Sequence, residues 1–539
     1  MTRIPDGVKK LPLIAVAAAV VLATSGGRAT GDPGLVTWIA VSNGGTWFQG
    51  DNRLLTTVSP NGDGFRDRAV VHFALSRAAN VTVAVYTTRV KLVDRVWARS
   101  GRFSPGLHKV VWRPAKSTPR QSYLVRLTAS AGGLRAVYGS GTSWGSEGLP
   151  GPVVRVQGVA AHFTKRSYPP GSLARLVVGT DATQLTIQVF RAGLEGRRSY
   201  SPREMRGAQV TDPVAYRWRH RSAAGSLWLR IGELPSGLYF ARVVADDGRV
   251  GFAPFVVAPK RIGEARVAVV LPTNTWAAYN FWDGDGNGYG DSWYAQSGAR
   301  TVVLSRAFLD DGVPPFFSNY DLGFIRWLWA QGLQPDFLSD DDLAGVRRAT
   351  TLTRAYDLIV FPGHEEYATE HTYDAVQRFR DLGGNLMFLS ANNFFWKVQR
   401  DGNKLTRVKL WRNLGRPEAG LVGVQYAGSN HGAIEKPFVV EGVDTAPWAF
   451  AGTGFANGSS FGSYGIEIDA RGPATPPSTI VLARVPNALG TGQDAEMTYY
   501  ETPQGAKVFA AGTLDFAASL DRPDVSRLVD NVWARLASP

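Results

Sequence analysis

The chain has 539 residues, 59 Lys and Arg against 45 Asp and Glu, and no cysteine. Without thiols it can form no disulfide, thiolate metal site or cysteine nucleophile, so its stability must rest on large apolar cores. The formal charge of +14 favours anionic polymers or surfaces as partners, but no Lys/Arg block of the kind that marks nucleic-acid tails occurs, so nucleic acid is not expected.

Arg3, Lys9 and Lys10 precede an apolar run from Leu11 to about Ala23, and Ala23, Ser25, Gly27 and Ala29 supply small residues after it. That order describes a secretory signal peptide over residues 1–29. An uncleaved membrane anchor is the alternative, but the run is shorter than the roughly 20 residues a spanning helix needs. No later stretch is apolar enough to cross a membrane. The expectation is a secreted or cell-surface protein with no stable membrane insertion after cleavage.

Residues 35–145 read as all-β. Ala69–Phe73, Val81–Tyr86, Gly106–Trp112 and Ser122–Leu127 are short β-branched and aromatic runs bounded by turn residues, a spacing that suits a sandwich. With the opening Ser59-Pro60-Asn61-Gly62-Asp63-Gly64, this segment resembles the immunoglobulin-like modules of bacterial surface proteins and of the flagellar hook-cap protein. Asn61, Asp63 and Asp67 either offer three oxygens to a calcium ion or form a turn. Residues 150–259 repeat the pattern in a second sandwich, with strands expected at Ala174–Val178, Leu185–Phe190, Leu227–Ile231 and Gly237–Val244. The Arg-rich segment from Arg197 to Arg221 reads as a long loop, and Pro259-Lys260 as a linker.

Residues 265–537 change character. Val267–Leu271, Tyr356–Phe361 and Asn385–Ser390 are buried-type strands, and they alternate with helical patterns at Leu322–Gln331 and Thr372–Leu382. Alternation of this kind implies an α/β domain with a parallel sheet, whose sites lie past the carboxyl ends of its strands. Three segments fall there. Pro362-Gly363-His364-Glu365-Glu366-Tyr367 puts a histidine and two carboxylates on one turn, able to bind a metal or exchange protons, or simply to favour a helix dipole. Ser390-Ala391-Asn392-Asn393 offers an amide, and the segment after Leu271 carries Tyr279.

Taken in order, Pro272–Trp276 with Tyr279-Asn280, Tyr320–Leu322 with Arg326–Leu328, Gly363–Tyr367, Gly383–Leu386 with Asn392–Trp396, and Tyr499–Pro503 with Ala511–Thr513 match one pattern. The domain resembles the C-terminal domain of the N,N-dimethylformamidase large (beta) subunit family. The resemblance implies an α/β layer similar to class I glutamine amidotransferases, here without their cysteine. It also implies one Fe3+ ion held by Tyr279, Tyr320 and Glu366, with His364, Asn392 and Glu501 as surrounding catalytic groups. The implied activity is hydrolysis of an amide C–N bond.

The sequence departs from that pattern at Asp283-Gly284-Asp285-Gly286-Asn287-Gly288-Tyr289-Gly290-Asp291. This run resembles a calcium loop, with Asp283, Asp285, Asn287 and Asp291 as oxygen ligands. It also makes Tyr294 a rival to Tyr279. Export and the sandwich modules point to an extracellular substrate larger than a small amide. The competing function is a non-catalytic surface protein that binds polysaccharide. A homo-oligomer is compatible with either function.

Overall fold

The computed structural model describes residues 34–88, 94–139, 151–295 and 299–538, so the signal peptide expected at 1–29 lies outside the described residues. The first unit pairs a three-stranded antiparallel sheet (Val36–Ser42, Ala69–Leu75, Gly106–Trp112) with a six-stranded one containing Ala79–Thr87 and Ser122–Ala131. Alternating residues point inward, and Val71 and Phe73 of one sheet share a core with Val83, Val125 and Leu127 of the other.

Val153–Val156, within the span read as the second module, completes the first, pairing in parallel with Leu55–Val58 and antiparallel with Ser122–Leu124. The second unit therefore starts at Ala160–Phe163, which pairs with Leu173–Gly179. Its larger sheet includes Gln184–Ala192, Gly237–Ala245 and Val250–Val257. Within the segment expected to be all loop, Gly207–Gln209 and Val214–Arg217 both pair with Gln184–Ala192. Each unit has a buried tyrosine bonded back to a proline carbonyl four residues earlier: Tyr123 to Pro119 at 2.9 Å and Tyr239 to Pro235 at 2.8 Å. This device fixes the chain at a sandwich corner.

The third unit is built on nine strands: β1 (Val267–Leu271), β2 (Asp336–Ser339), β3 (Leu358–Phe361), β4 (Asn385–Phe388), β5 (Glu435–Val440), β6 (Ser460–Gly465), β7 (Ile480–Val485), β8 (Ala495–Glu501) and β9 (Lys507–Ala510). Their order is β2-β1-β3-β4-β9-β8-β7-β5-β6. The first five run parallel. The remaining four add antiparallel.

Both faces of the parallel half are covered, which is why the middles of its strands are apolar. Val267, Val269 and Leu271 face one core with Phe324, Ile325, Leu528 and Val532. Ala268 and Val270 face the other, with Leu352, Val376 and Phe379. The first core continues into the second sandwich through Phe240, Phe252 and Val256, so these two units fold against each other rather than hang on a linker.

Candidate active site

The carboxyl edge of the parallel strands gathers the chemistry. After β1, the short helix Thr273–Ala278 delivers Tyr279. After β3, Pro362-Gly363 turns the chain so that His364 and Glu366 face the same space. Gly363 is required there, because a Cβ would stand 2.0 Å from Asp321 Oδ1. The turn is tied down by bonds from Phe394 N to Glu365 O at 2.7 Å and from Trp396 N to Glu366 O at 2.9 Å.

Glu366 is the hub. Tyr279 Oη donates to its Oε2 at 2.9 Å, and Tyr294 Oη donates to its Oε1 at 3.0 Å. The Tyr279 and Tyr294 rings stack with centroids 4.2 Å apart, and the Tyr294 hydroxyl also bonds Tyr367. His364 Nε2 lies 3.5 Å from Glu366 Oε2 and 3.3 Å from Glu467 Oε2. Asn392 Nδ2 donates to Glu467 Oε2 at 2.8 Å. Asn392 itself has a positive φ of 58°, held by its N–H donating to Asp469 at 2.8 Å.

Burial dominates the electrostatics. It pushes Glu366 up to about 7, with His364 opposing the shift and Glu467 adding to it. It drives the Tyr279 and Tyr294 phenols well above their ordinary range, and the Glu366 charge drives them further. Burial works against a charged His364, but Glu467, Glu366 and Asp469 outweigh it, and its pKa rises. The neighbouring Glu365 faces the other way. Burial and Asp340 raise its pKa, while Arg166 of the second sandwich opposes the rise.

The structure thus brings Tyr279, Glu366, His364 and Asn392 together, with Tyr294 in the second phenol position. Tyr320 is buried and meets His364 ring to ring, with centroids 6.4 Å apart at 86°, but no hydrogen bond joins it to Glu366 among the described residues. Glu501 lies elsewhere. It ends β8, which runs antiparallel to β9, so it emerges at the opposite edge of the sheet, opposite Lys507 and bonded to Arg535 at 2.9 Å. Glu467 was not anticipated. It enters on the short strand Glu467–Ala470, which pairs with Gln425–Ser429 and bridges to Thr513 just past β9. The only trace in the sequence is the pair of acids in Glu467-Ile468-Asp469.

Tyr279, Tyr294 and Glu366 are hard oxygen donors within hydrogen-bonding distance of one another, and they are the residues that could hold a hard cation here. In the inserted loop, carboxylate oxygens of Asp283, Asp285 and Asp291 all lie within 4.8 Å of one another. Asn287 Oδ1 accepts from Tyr289 N, and Asp283 accepts from Gly286 N and Gly288 N. The Asn61 turn is differently engaged: Asp67 accepts from Gly62 N and Gly64 N, Asp63 pairs with Arg221, and Asn61 donates to Asp247. Its oxygens hold a turn and join the two sandwiches.

A part-parallel α/β domain with a buried carboxylate between phenols and an imidazole defines the class. The chain belongs to the N,N-dimethylformamidase beta subunit-like, C-terminal family, whose profile matches residues 186–530. The match begins inside the second sandwich, consistent with the core shared between that unit and the α/β domain. The N,N-dimethylformamidase beta subunits of Alcaligenes sp and Paracoccus aminophilus are 25% and 24% identical over 276 residues. Each match covers 39% of this chain and 36% of the relative, well short of two thirds of its length. A red sea bream transglutaminase structure aligns over 36% of this chain and 29% of its own at 13% identity and a TM-score of 0.16, too poor a superposition to bear on the fold.

Proposed function

We propose that this protein is an exported, iron-dependent hydrolase of non-peptide amide C–N bonds. The observation that carries the reading is the convergence of the Tyr279 and Tyr294 hydroxyls on Glu366, at 2.9 and 3.0 Å. Ferric iron bound there would supply Lewis-acid polarisation of an amide carbonyl and acidify water. The chain's own residues do the rest. Glu366 and the two phenols fix the ligand geometry. His364, between Glu366 and Glu467, is placed to take a proton from water and pass it to the amine nitrogen as the C–N bond breaks. The products are a carboxylic acid and an amine. Asn392 holds Glu467 in register with His364.

The same reading takes the domain as similar to class I glutamine amidotransferases, supported by five parallel strands with helices on both faces. Export is supported by Arg3, Lys9, Lys10 and the apolar run that follows them. Among the described residues, no helix is long and apolar enough to cross a membrane. Calcium on Asp283, Asp285, Asn287 and Asp291 belongs to this reading too. A calcium-dependent rise in melting temperature that is lost in Asp285→Asn tests it.

Elemental analysis of purified protein, paired with amine release from simple amides, tests the main proposal. Iron-free protein with no amide hydrolysis, unchanged by Glu366→Gln, would refute it. One observation favours the alternative of surface binding without catalysis. An open groove of about 560 Å³ is lined by Arg197, Arg203, Arg206 and Arg242 beside Phe190 and Phe252. Retention on anionic wall polymers at low salt, with no turnover, would favour that alternative.

A further inference from the structure

On the side of Tyr279 and His364 away from Glu467, the recess beside the centre is only about 10 Å³, with Thr275, Trp276, Phe316 and Tyr320 among its other walls. That is room for about one water molecule, so an amide approaching from this side does not fit. Something in the wall must move. Of these six residues only Phe316 is exposed, at 49%; Tyr279 is half-buried and the other four are buried.

The Phe316 ring stacks on Tyr320, with centroids 5.2 Å apart at 26°, and meets Tyr279 edge-on at 5.8 Å. Its backbone is left-handed, φ 60° and ψ 10°, an outlier for a bulky side chain and the kind of strain that collects at functional sites. That backbone is also pinned. Pro314 and Pro315 precede it, and its carbonyl accepts from Asn319 N at 2.8 Å and Tyr320 N at 3.0 Å. Further back, Gly312 packs so closely on the Phe252 backbone that a Cβ would meet Phe252 O at 1.8 Å. The loop therefore has little freedom, and the ring is what can swing.

We propose that Phe316 is a side-chain gate that sets which amides reach the Tyr279–Glu366–His364 centre. This rests on the hydrolase reading above. Rotation of the ring about its Cα–Cβ bond vacates the volume of one benzyl group. The walls that remain, Tyr279, Tyr320 and His364, are flat and largely apolar, so they accept a planar amide with small substituents. The gate selects against the larger extracellular substrate that export alone suggests.

The test compares full-length wild type, Phe316→Gly and Phe316→Tyr. Glycine suits the left-handed backbone, so Phe316→Gly keeps or raises the melting temperature. The first readout needs neither metal nor turnover: nitration of Tyr279 and Tyr320 by tetranitromethane, located by peptide mass. Nitration is several-fold faster in Phe316→Gly and unchanged in Phe316→Tyr. The second readout is the kcat/KM ratio for N,N-diethylacetamide over formamide in iron-loaded protein, which rises about tenfold or more in Phe316→Gly. Equal nitration in all three proteins overturns the gate, as does an unchanged ratio. Absence of hydrolysis in all three overturns the hydrolase reading instead, and nitration alone then decides whether Phe316 closes the site.

Discussion

Tyr279 and Tyr294 stack ring on ring, with centroids 4.2 Å apart, and their hydroxyls reach opposite oxygens of the same carboxylate, Glu366. A cation bound at this point would displace the two phenol protons that Glu366 now accepts. Glu366→Gln keeps the shape and removes the charge, and Tyr279→Phe and Tyr294→Phe each remove one donor. Each is expected to lower iron content at least about tenfold, in line with the sensitivity of metal sites to their immediate surroundings. Tyr320→Phe should leave it unchanged. Mass-spectrometric metal analysis decides the point. Loss of iron in Tyr320→Phe but not in Tyr294→Phe would restore the ligand pair implied by the family pattern.

Metal loading should depend on pH. Burial holds Glu366 up to about 7 and both phenols well above their ordinary range, so at neutral pH the phenols carry their protons and Glu366 is partly protonated. Binding must expel those protons, so affinity rises with pH. Iron affinity measured by competition with a chelator of known proton dependence should rise steeply from about pH 6 to about pH 8. A flat profile would mean that the ion is held elsewhere.

A second pH effect is independent of metal. His162 lies where both sandwiches and the α/β domain meet, beside Arg120, Arg155 and Arg306, and burial pushes its pKa down to about 4. Its folded pKa is below its unfolded value of about 6.5. The neutral ring is therefore favoured in the fold. Stability is fully present above the unfolded pKa and is lost as pH falls toward about 4. Denaturant unfolding of wild type should weaken across that window, and His162→Gln should flatten the decline. An identical slope in both proteins would show that other groups cause the acid sensitivity.

Much of the fold was legible because its strands are extreme. β1 and β3 are uniformly apolar runs and β4 is apolar after Asn385, each ended by turn residues, as strands covered on both faces must be. The helix Glu370–Asp381 announces itself through Thr369, which accepts from Thr372 N, and through Gly383 at φ 96°. His364 and Glu366 stood out because they crowd one strand end. Glu467 did not, because its four-residue strand exists by pairing with the distant segments Gln425–Ser429 and Gly512–Leu514. Glu501 misled because the direction of a strand is not written in its residues. Neither is the exchange by which Val153–Val156 joins the first sandwich, since parallel pairing with Leu55–Val58 is a long-range event.

The turn after β3 depends on one missing atom. A Cβ at Gly363 would stand 2.0 Å from Asp321 Oδ1 and 3.1 Å from Pro272. Asp321 is buried and accepts from Trp276 Nε1 at 3.0 Å, so it has nowhere to retreat. Gly363→Ala should cost about 1–3 kcal/mol, the usual range for overpacking a dense interior. The same shift should move His364 and Glu366, so iron content should fall with the melting temperature. A stable Gly363→Ala protein with full iron content would show that the turn relaxes without disturbing the site.

Arg166 carries the contact between the second sandwich and the back of the site. Its Nε donates to Asp341 Oδ2 at 2.9 Å, its Nη1 donates to Asn274 Oδ1 at 2.8 Å, and the neighbouring Ser167 bonds Asp342. Asn274 in turn donates to the carbonyl of Tyr367, one residue past Glu366. Removing the guanidinium takes away a cation that acts on Asp340, Asp342 and Glu365, and leaves Asp341 with Arg400. Breaking a fully buried pair costs about 3–5 kcal/mol, and because Asp341 is about a quarter exposed the lower end applies. With Arg400 still paired to Asp341, Arg166→Ala should lower stability by less than that, about 1–3 kcal/mol. Arg166→Lys should recover only part of that, because an ammonium cannot span Asp341 and Asn274 at once. Calorimetry should show a single transition for the second sandwich and the α/β domain in wild type, as their shared core predicts, and the start of separation in Arg166→Ala. An unchanged single transition at the wild-type temperature would place the coupling in the apolar core alone.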